Sequence, residues 1–311
     1  DLDFVRKLFV DYQFDAVFHL AAESHVDRSI AAPDKFIETN VFGTHNLLKC
    51  ALSEWTNHDR LHRCRFLHVS TDEVYGDLEP NERPFTELSP YRPNSPYSAS
   101  KAASDHLVRA YGRTYGMPVL VTNCSNNYGA FQHPEKLIPL VTIHALEVKP
   151  LPIYGDGSNI RDWLHVDDHC HALEQILAKG RCGATYAVGG GSERTNKAVV
   201  TAICEAVDNI FSASPTLSKQ YPKCPAASGL SCTSLIAYVT DRPGHDRRYA
   251  VDATALQKEL GVAPRHSFED GLRETVIWYA QNESWWRQAI SSDFQTWVEE
   301  NYGHRISLAT C

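Results

Sequence analysis

Three short apolar runs, FDAVFHLAA (14–22), CRFLHVS (64–70) and PVLVTNCSN (118–126), each follow a longer segment with helical spacing, and this alternation constrains the fold more than any other feature. Leu2, Val5, Leu8, Phe9 and Tyr12 share a helical face before the first run; Ile37, Val41, Leu48, Leu52 and Trp55 do so before the second. YSASKAASDHLVRAYGRTYG predicts a helix ending at Gly116 before the third. Strands joined by helices in this way run parallel and are covered on both faces. The predicted class is α/β, a doubly wound parallel sheet of Rossmann type.

After Asn127 the pattern loosens. HPEKLIPLVTIHALE predicts a helix, LPIYGDGSNIRDWLHV extended segments around a glycine-rich turn, and ATYAVGG a further strand after a helix ending near Gly180. We expect one domain from residues 1–127 and 162–190, and a smaller α/β lobe from 128–161 and 191–311. FSASPTLSKQYPKCPAASGLSC (211–232) predicts a surface insertion or long loop.

The formal net charge of -8 gives no general attraction to nucleic acid or an anionic membrane. No apolar run approaches the roughly 20 residues of a spanning helix, so a cytoplasmic protein is expected. Nine cysteines without a C-x-x-C pair indicate neither a disulfide framework nor a zinc ribbon. HVDDHCHALE lacks the glutamate of H-E-x-x-H, so His165, His169 and His171 read as surface histidines at a helix start, and no metal is expected.

Open parallel sheets bind ligands at the carboxyl ends of their strands, where this chain places HLAAESH, STDE and NCSNNYG. Thr71, Asp72 and Glu73 end the second strand with a hydroxyl and two adjacent acids. Tyr97 and Lys101 lie one helical turn apart, and an ammonium beside a phenol favours the phenolate that a general base for an alcohol needs.

These motifs, with HLAAESHVDRSI, TNCSNNYG, HPEKLIPL, LPIYGDGSNIRDWLHVDDH, RPGHDRRYAVD and the tryptophan-rich tail, resemble the extended short-chain dehydrogenase/reductase family over about residues 1–300, interrupted by 211–232. Within it they resemble the 4,6-dehydratases of dTDP-glucose. Related epimerases and decarboxylases of UDP-sugars share the Tyr and Lys but have no T-D-E. The resemblance implies an NAD-binding first domain and a sugar-nucleotide-binding second. It implies that Tyr97 takes the C4 hydroxyl proton, Lys101 tunes it and holds the nicotinamide ribose, Thr71 bonds the C4 oxygen, Glu73 takes the C5 proton and Asp72 protonates the departing C6 hydroxyl. Leu20, Ala21, Ala22, Thr39, Cys124 and Asn127 match positions flanking NAD, together with Tyr97 and Lys101. Ser24, Asn126, Lys136, Leu137, Pro152, Tyr154 and Asn196 match the sugar and base pocket, and Arg161, Arg242 and His245 the diphosphate. A homodimer through a bundle of the helices near 34–55 and 97–115 is also implied.

The chain contains no G-x-x-G-x-x-G turn of the kind that holds a dinucleotide pyrophosphate, and its first strand corresponds to the family's fourth. FDAVFHLAA is therefore expected as a sheet edge, and reduced or absent activity of these residues, as in a non-catalytic sugar-nucleotide-binding remnant, is the alternative expectation.

Overall fold

The computed structural model describes residues 1–290; the expectations for 291–311 lie outside the described residues. Among the described residues nine strands run β1 (Ala16–His19), β2 (Arg65–Thr71), β3 (Val119–Cys124), β4 (Asn126–Tyr128), β5 (Leu151–Tyr154), β6 (Ile160–His165), β7 (Thr185–Val188), β8 (Glu193–Thr195) and β9 (Ile236–Val239). The described residues divide into two units: Asp1–Ser125, His169–Gly191 and Asp246–Ala263 form one, and Asn126–Asp168, Ser192–His245 and residues 264–290 form the other.

In the first unit β1, β2, β3 and β7 form a parallel sheet in that order, with Phe66 of β2 opposite Val17 on one side and Val119 on the other. The α/β class follows directly from the three apolar runs. β1 is the edge, paired to β2 alone, and its Phe18 remains 42% exposed. Phe9, Leu48, Trp55, Phe66, Val108 and Met117 pack together, and the indole of Trp55 donates to Phe14 O at 2.8 Å. Helix Pro96–Tyr115 is fixed at both ends: Ser95 and Ser98 form a reciprocal capping box, and Gly116 closes it in the left-handed region. This fixes the rotational phase of Tyr97 and Lys101 against the sheet.

The second unit holds a β4-β6-β8 sheet and a parallel β5-β9 pair. Trp163, Ile203, Val207, Phe268 and Val276 lie at its core. The expected loop at 211–232 is folded instead. It finishes helix Asn196–Ala213, forms helix Pro215–Gln220 and a 3-10 turn at Pro225–Ser228, and buries Phe211, Tyr221, Cys224 and Cys232 in the core. Its Pro and Ser content hides four irregularly spaced apolar anchors. Cys224 and Cys232 are thiols with sulfurs 3.8 Å apart. Asp246–Ala263, expected in the second lobe, returns to the first unit, where Phe85 bridges Val251 and Leu78 N donates to Arg248 O at 3.1 Å.

The histidines of HVDDHCHALE are not all on the surface: His165 and His169 are buried. His165 stacks on His266, centroids 4.0 Å apart, and Asp168 accepts from the backbone N of Arg265 and His266 at 3.0 Å each. His165, Asp167 and His266 offer possible ligand atoms within 4.8 Å of one another, but face-to-face imidazoles direct their in-plane lone pairs side by side rather than at one ion. Among the described residues no helix is long and apolar enough to cross a membrane.

Burial pushes the imidazoles of His68 and His169 down from the ordinary 6.5 to about 4 and that of His19 to about 2, where His68 and Lys101 add to the effect. The unfolded chain therefore takes up protons below about pH 6.5 that the folded chain refuses. The stability these groups contribute is complete above that pH and is lost as pH falls, by up to about 1.4 kcal/mol per pH unit for each group. A urea midpoint that declines steadily from pH 7 to pH 5 is expected; a flat profile contradicts neutral burial of these rings.

Candidate active site

β2 delivers Thr71 to the end of the sheet, and residues Asp72–Tyr75 turn at once into a 3-10 helix. Thr71 caps the turn: its Oγ1 accepts from Glu73 N at 3.2 Å and donates to Asp72 Oδ1 at 3.3 Å. Asp72 is 2% exposed and Glu73 half-buried, so the adjacent acids occupy unlike surroundings.

Tyr97 meets this turn from the neighbouring helix. The Thr71 hydroxyl, the charges of Glu73 and Asp72 and the thiol of Cys124 all act on its phenol. Thr71, Asp72, Glu73 and Tyr97 thus gather at one strand end. Lys101 Nζ, nearly solvent-free, donates to Val69 O at 2.8 Å. The expected lowering of the Tyr97 pKa is not what the geometry gives. Burial first, and the Glu73 charge second, hold the phenol well above its usual range, against the Thr71 hydrogen bond.

The other expected residues are distributed over both units. Leu20, Ala21 and Ala22 follow β1, with Leu20 56% exposed, and Ser24 stands exposed in the same loop. Cys124 ends β3 and its thiol donates to Ser70 O at 3.3 Å. In the second unit Asn126 and Asn127 lie on β4, Pro152 and Tyr154 on β5 and Arg161 on β6; Lys136 and Leu137 open helix Leu137–Glu147, and Asn196 opens helix Asn196–Ala213. Arg161, Arg242, His245 and Tyr154 form a group there. The His245 ring lies 6.0 Å from that of Tyr154, its Nδ1 is 2.6 Å from Asp241 Oδ1, and burial, then Arg242 and Arg161, push it down to about 4. A neutral imidazole beside two guanidinium groups can take part in binding an anion without adding charge.

The sequence reading missed Asn40. Between Pro33–Phe36 and Gly43–Asn57 the helix widens to a π-turn at Ile37–Phe42, which also carries the exposed Thr39 and turns Asn40 inward. Asn40 Oδ1 accepts from Glu23 N at 2.8 Å, and its Nδ2 donates to Glu23 O at 3.0 Å and to Ser100 Oγ at 2.9 Å. One amide thereby ties the loop after β1 to the helix carrying Tyr97. The small serines on that helix face, Ser100 and Ser104, were the available signal.

A family model described as GDP-mannose 4,6 dehydratase matches residues 1–275. The chain belongs to this 4,6-dehydratase family. A dTDP-glucose 4,6-dehydratase of Salmonella typhimurium is 51% identical over 311 residues, covering 97% of this chain and 82% of the relative. The dTDP-glucose 4,6-dehydratase of Xanthomonas campestris is 54% identical over 296 residues, 94% of this chain and 80% of its own. Among solved structures, the dTDP-glucose 4,6-dehydratase of Streptomyces venezuelae with NAD and TYD bound superimposes with a TM-score of 0.80 at 44% identity, covering 93% of this chain and 80% of that one. The extended short-chain dehydrogenase/reductase fold is the one expected for a 4,6-dehydratase.

Gly76 closes the acidic turn at φ +90, and a Cβ there would run into the carbonyl oxygen of Arg92. Gly76→Ala is expected to destabilise the protein by about 2 kcal/mol or more; a urea midpoint within about 0.5 kcal/mol of the parent contradicts the packing described here.

Proposed function

We propose that the chain catalyses NAD-dependent dehydration of dTDP-glucose to dTDP-4-keto-6-deoxyglucose, a lyase reaction of deoxysugar biosynthesis. The observation that carries this is the gathering of Thr71, Asp72, Glu73 and Tyr97 at one strand end in a chain about half identical to enzymes of that name. The first unit serves as the dinucleotide-binding domain and the second as the sugar-nucleotide-binding domain.

Val69 O takes one of the three N–H donors of Lys101, which leaves donors for ribose hydroxyls, and Tyr97 stands one turn away; this pair fits the nicotinamide-ribose end of NAD. Leu20, Ala21, Ala22, Thr39, Cys124 and Asn127 are proposed to flank the dinucleotide. NAD supplies a cationic hydride acceptor for C4 and the hydride returned to C6. Tyr97 takes the C4 hydroxyl proton while Thr71 hydrogen-bonds the C4 oxygen. Glu73, the more exposed acid, then takes the C5 proton, and Asp72, shut from water, gives its proton to the departing C6 hydroxyl; unlike surroundings are what separate a base from an acid in such a pair. Arg161, Arg242 and His245 take the diphosphate, with Ser24, Asn126, Lys136, Leu137, Pro152, Tyr154 and Asn196 lining the sugar and base.

We also read the protein as a cytoplasmic homodimer. Support for a dimer is the exposure of Ile37 (42%), Phe42 (59%) and Tyr115 (54%) on the helical segments expected to form the bundle.

Two variants test the roles, read by nicotinamide absorbance and by product analysis after mixing with NAD and dTDP-glucose. Tyr97→Phe should lower the rate of C4 oxidation by about 100-fold or more; an unchanged rate removes Tyr97 from the reaction. Glu73→Gln should permit C4 oxidation and stall elimination. Because the Glu73 charge is among those holding Tyr97 up, its removal should also move the acidic limb of C4 oxidation to lower pH. Rapid water loss, or a limb displaced upward, contradicts the assignment.

A further inference from the structure

Asp105 lies one turn beyond Lys101 on helix Pro96–Tyr115, with no solvent exposure. Its Oδ2 accepts from Tyr91 OH at 2.6 Å and from Asn123 Nδ2 at 3.1 Å, and its Oδ1 lies 3.1 Å from His68 Nε2 on β2. Arg109, a further turn along, reaches it through Tyr91, donating to that hydroxyl at 2.6 Å. A carboxylate placed so deep is costly unless it is met, and the two hydrogen bonds to Oδ2, with the His68 ring beside Oδ1, hold this one in position.

Two consequences run toward the reacting groups. The first concerns charge: burial pushes the Lys101 ammonium toward losing its proton, and Asp105 leads the groups that oppose this, ahead of Cys124. Burial pushes the Asp105 carboxyl up in turn, but His68, Lys101 and Tyr91 bring it below the ordinary carboxylate range, so it remains an anion beside a His68 held neutral. The second concerns geometry. Asn123 Nδ2 also lies 3.2 Å from Thr71 O, and Asn123 Oδ1 accepts from Tyr75 OH at 3.1 Å. Thr71 and Tyr75 bracket Asp72 and Glu73. Turning this amide over would set its oxygen against the Asp105 carboxylate, so Asp105 decides which way Asn123 faces.

We propose that Asp105 is a positioning residue for the dehydratase reaction: one buried carboxylate, a helical turn beyond Lys101, that through the Asn123 amide holds both ends of the Thr71–Tyr75 turn. The role rests on the proposed function, and it couples the pair that serves oxidation to the acids that serve elimination. The groups facing Asp105 are Lys101 and Arg109 on its own helix, His68 from β2, Asn123 from β3, and Tyr91 and Tyr75.

Asp105→Asn preserves volume and removes the charge. In the full chain, confirmed folded by circular dichroism, Lys101 should become about 10-fold more reactive toward limiting acetic anhydride at neutral pH, read by peptide mass spectrometry, because loss of the Asp105 charge lets burial move it further toward the free amine. With NAD and dTDP-glucose, kcat should fall about 10- to 100-fold with KM within about 3-fold. Asn123→Ala should slow elimination more than oxidation and leave Lys101 labelling at the parent level. A folded Asp105→Asn protein with parental Lys101 reactivity overturns the proposal, as does a loss of activity that only follows the unfolded fraction. If the parent chain does not turn over dTDP-glucose, the functional reading fails, and Lys101 labelling still decides the role of Asp105.

Discussion

An ammonium removed from water at the end of a parallel sheet is the interaction on which the first unit depends. Lys101 reaches Val69 O because helix Pro96–Tyr115 begins and stops where its caps dictate, and a slip of one residue would turn the group away from the sheet. The surroundings that tolerate it are correspondingly polar. Asn40, Ser100 and Ser104 join the helix to its neighbours by side-chain hydrogen bonds where an ordinary interface would use aliphatic packing, as Ser104 Oγ does by donating to Asn40 O at 2.6 Å. Polar contacts of this kind have fewer acceptable geometries than apolar ones. The strand end where Thr71, Asp72 and Glu73 meet Tyr97 is therefore held rigidly before any substrate arrives.

The second unit is built on a different principle. Its centre is apolar, and Arg161 on β6 and Arg242 act on the same imidazole, that of His245. Burial of Arg161 within a strand limits the rotamers open to its guanidinium and so fixes where its charge lies.

The sequence shows the sheet plainly because apolar runs and helical spacing are local properties, and the Tyr97–Lys101 and Thr71–Glu73 spacings are equally local. What it conceals depends on contacts between distant residues. Asn40 is hidden because a π-turn breaks the period by which its face would be recognised. Tyr221, Cys224 and Cys232 are hidden because prolines and serines surround them and no period joins them. The direction in which Tyr97 titrates depends on how deeply the fold buries it, which a spacing of four residues does not reveal. The return of Asp246–Ala263 to the first unit depends on contacts with residues far away in the chain, Tyr249 and Ala250 packing on Tyr75 and Phe85 and Glu259 pairing with Arg181, which no local pattern announces.

The widened turn at Ile37–Phe42 has a mechanical meaning. An α-helix rotates about 100° per residue, and a π-turn accommodates one residue more than the regular spiral would, so the stretch beyond it is re-indexed relative to the stretch before. Phe36 upstream and Leu48, Ala51 and Trp55 downstream all face inward under that offset. Loss of a single residue within the turn would heal the spiral and leave Phe36 and Trp55 on one inward face, because the wide turn absorbs the extra residue. What such a loss would remove is the local swelling that carries Asn40 inward, so the turn serves the ties from Asn40 to Glu23 and Ser100 rather than the seating of Trp55.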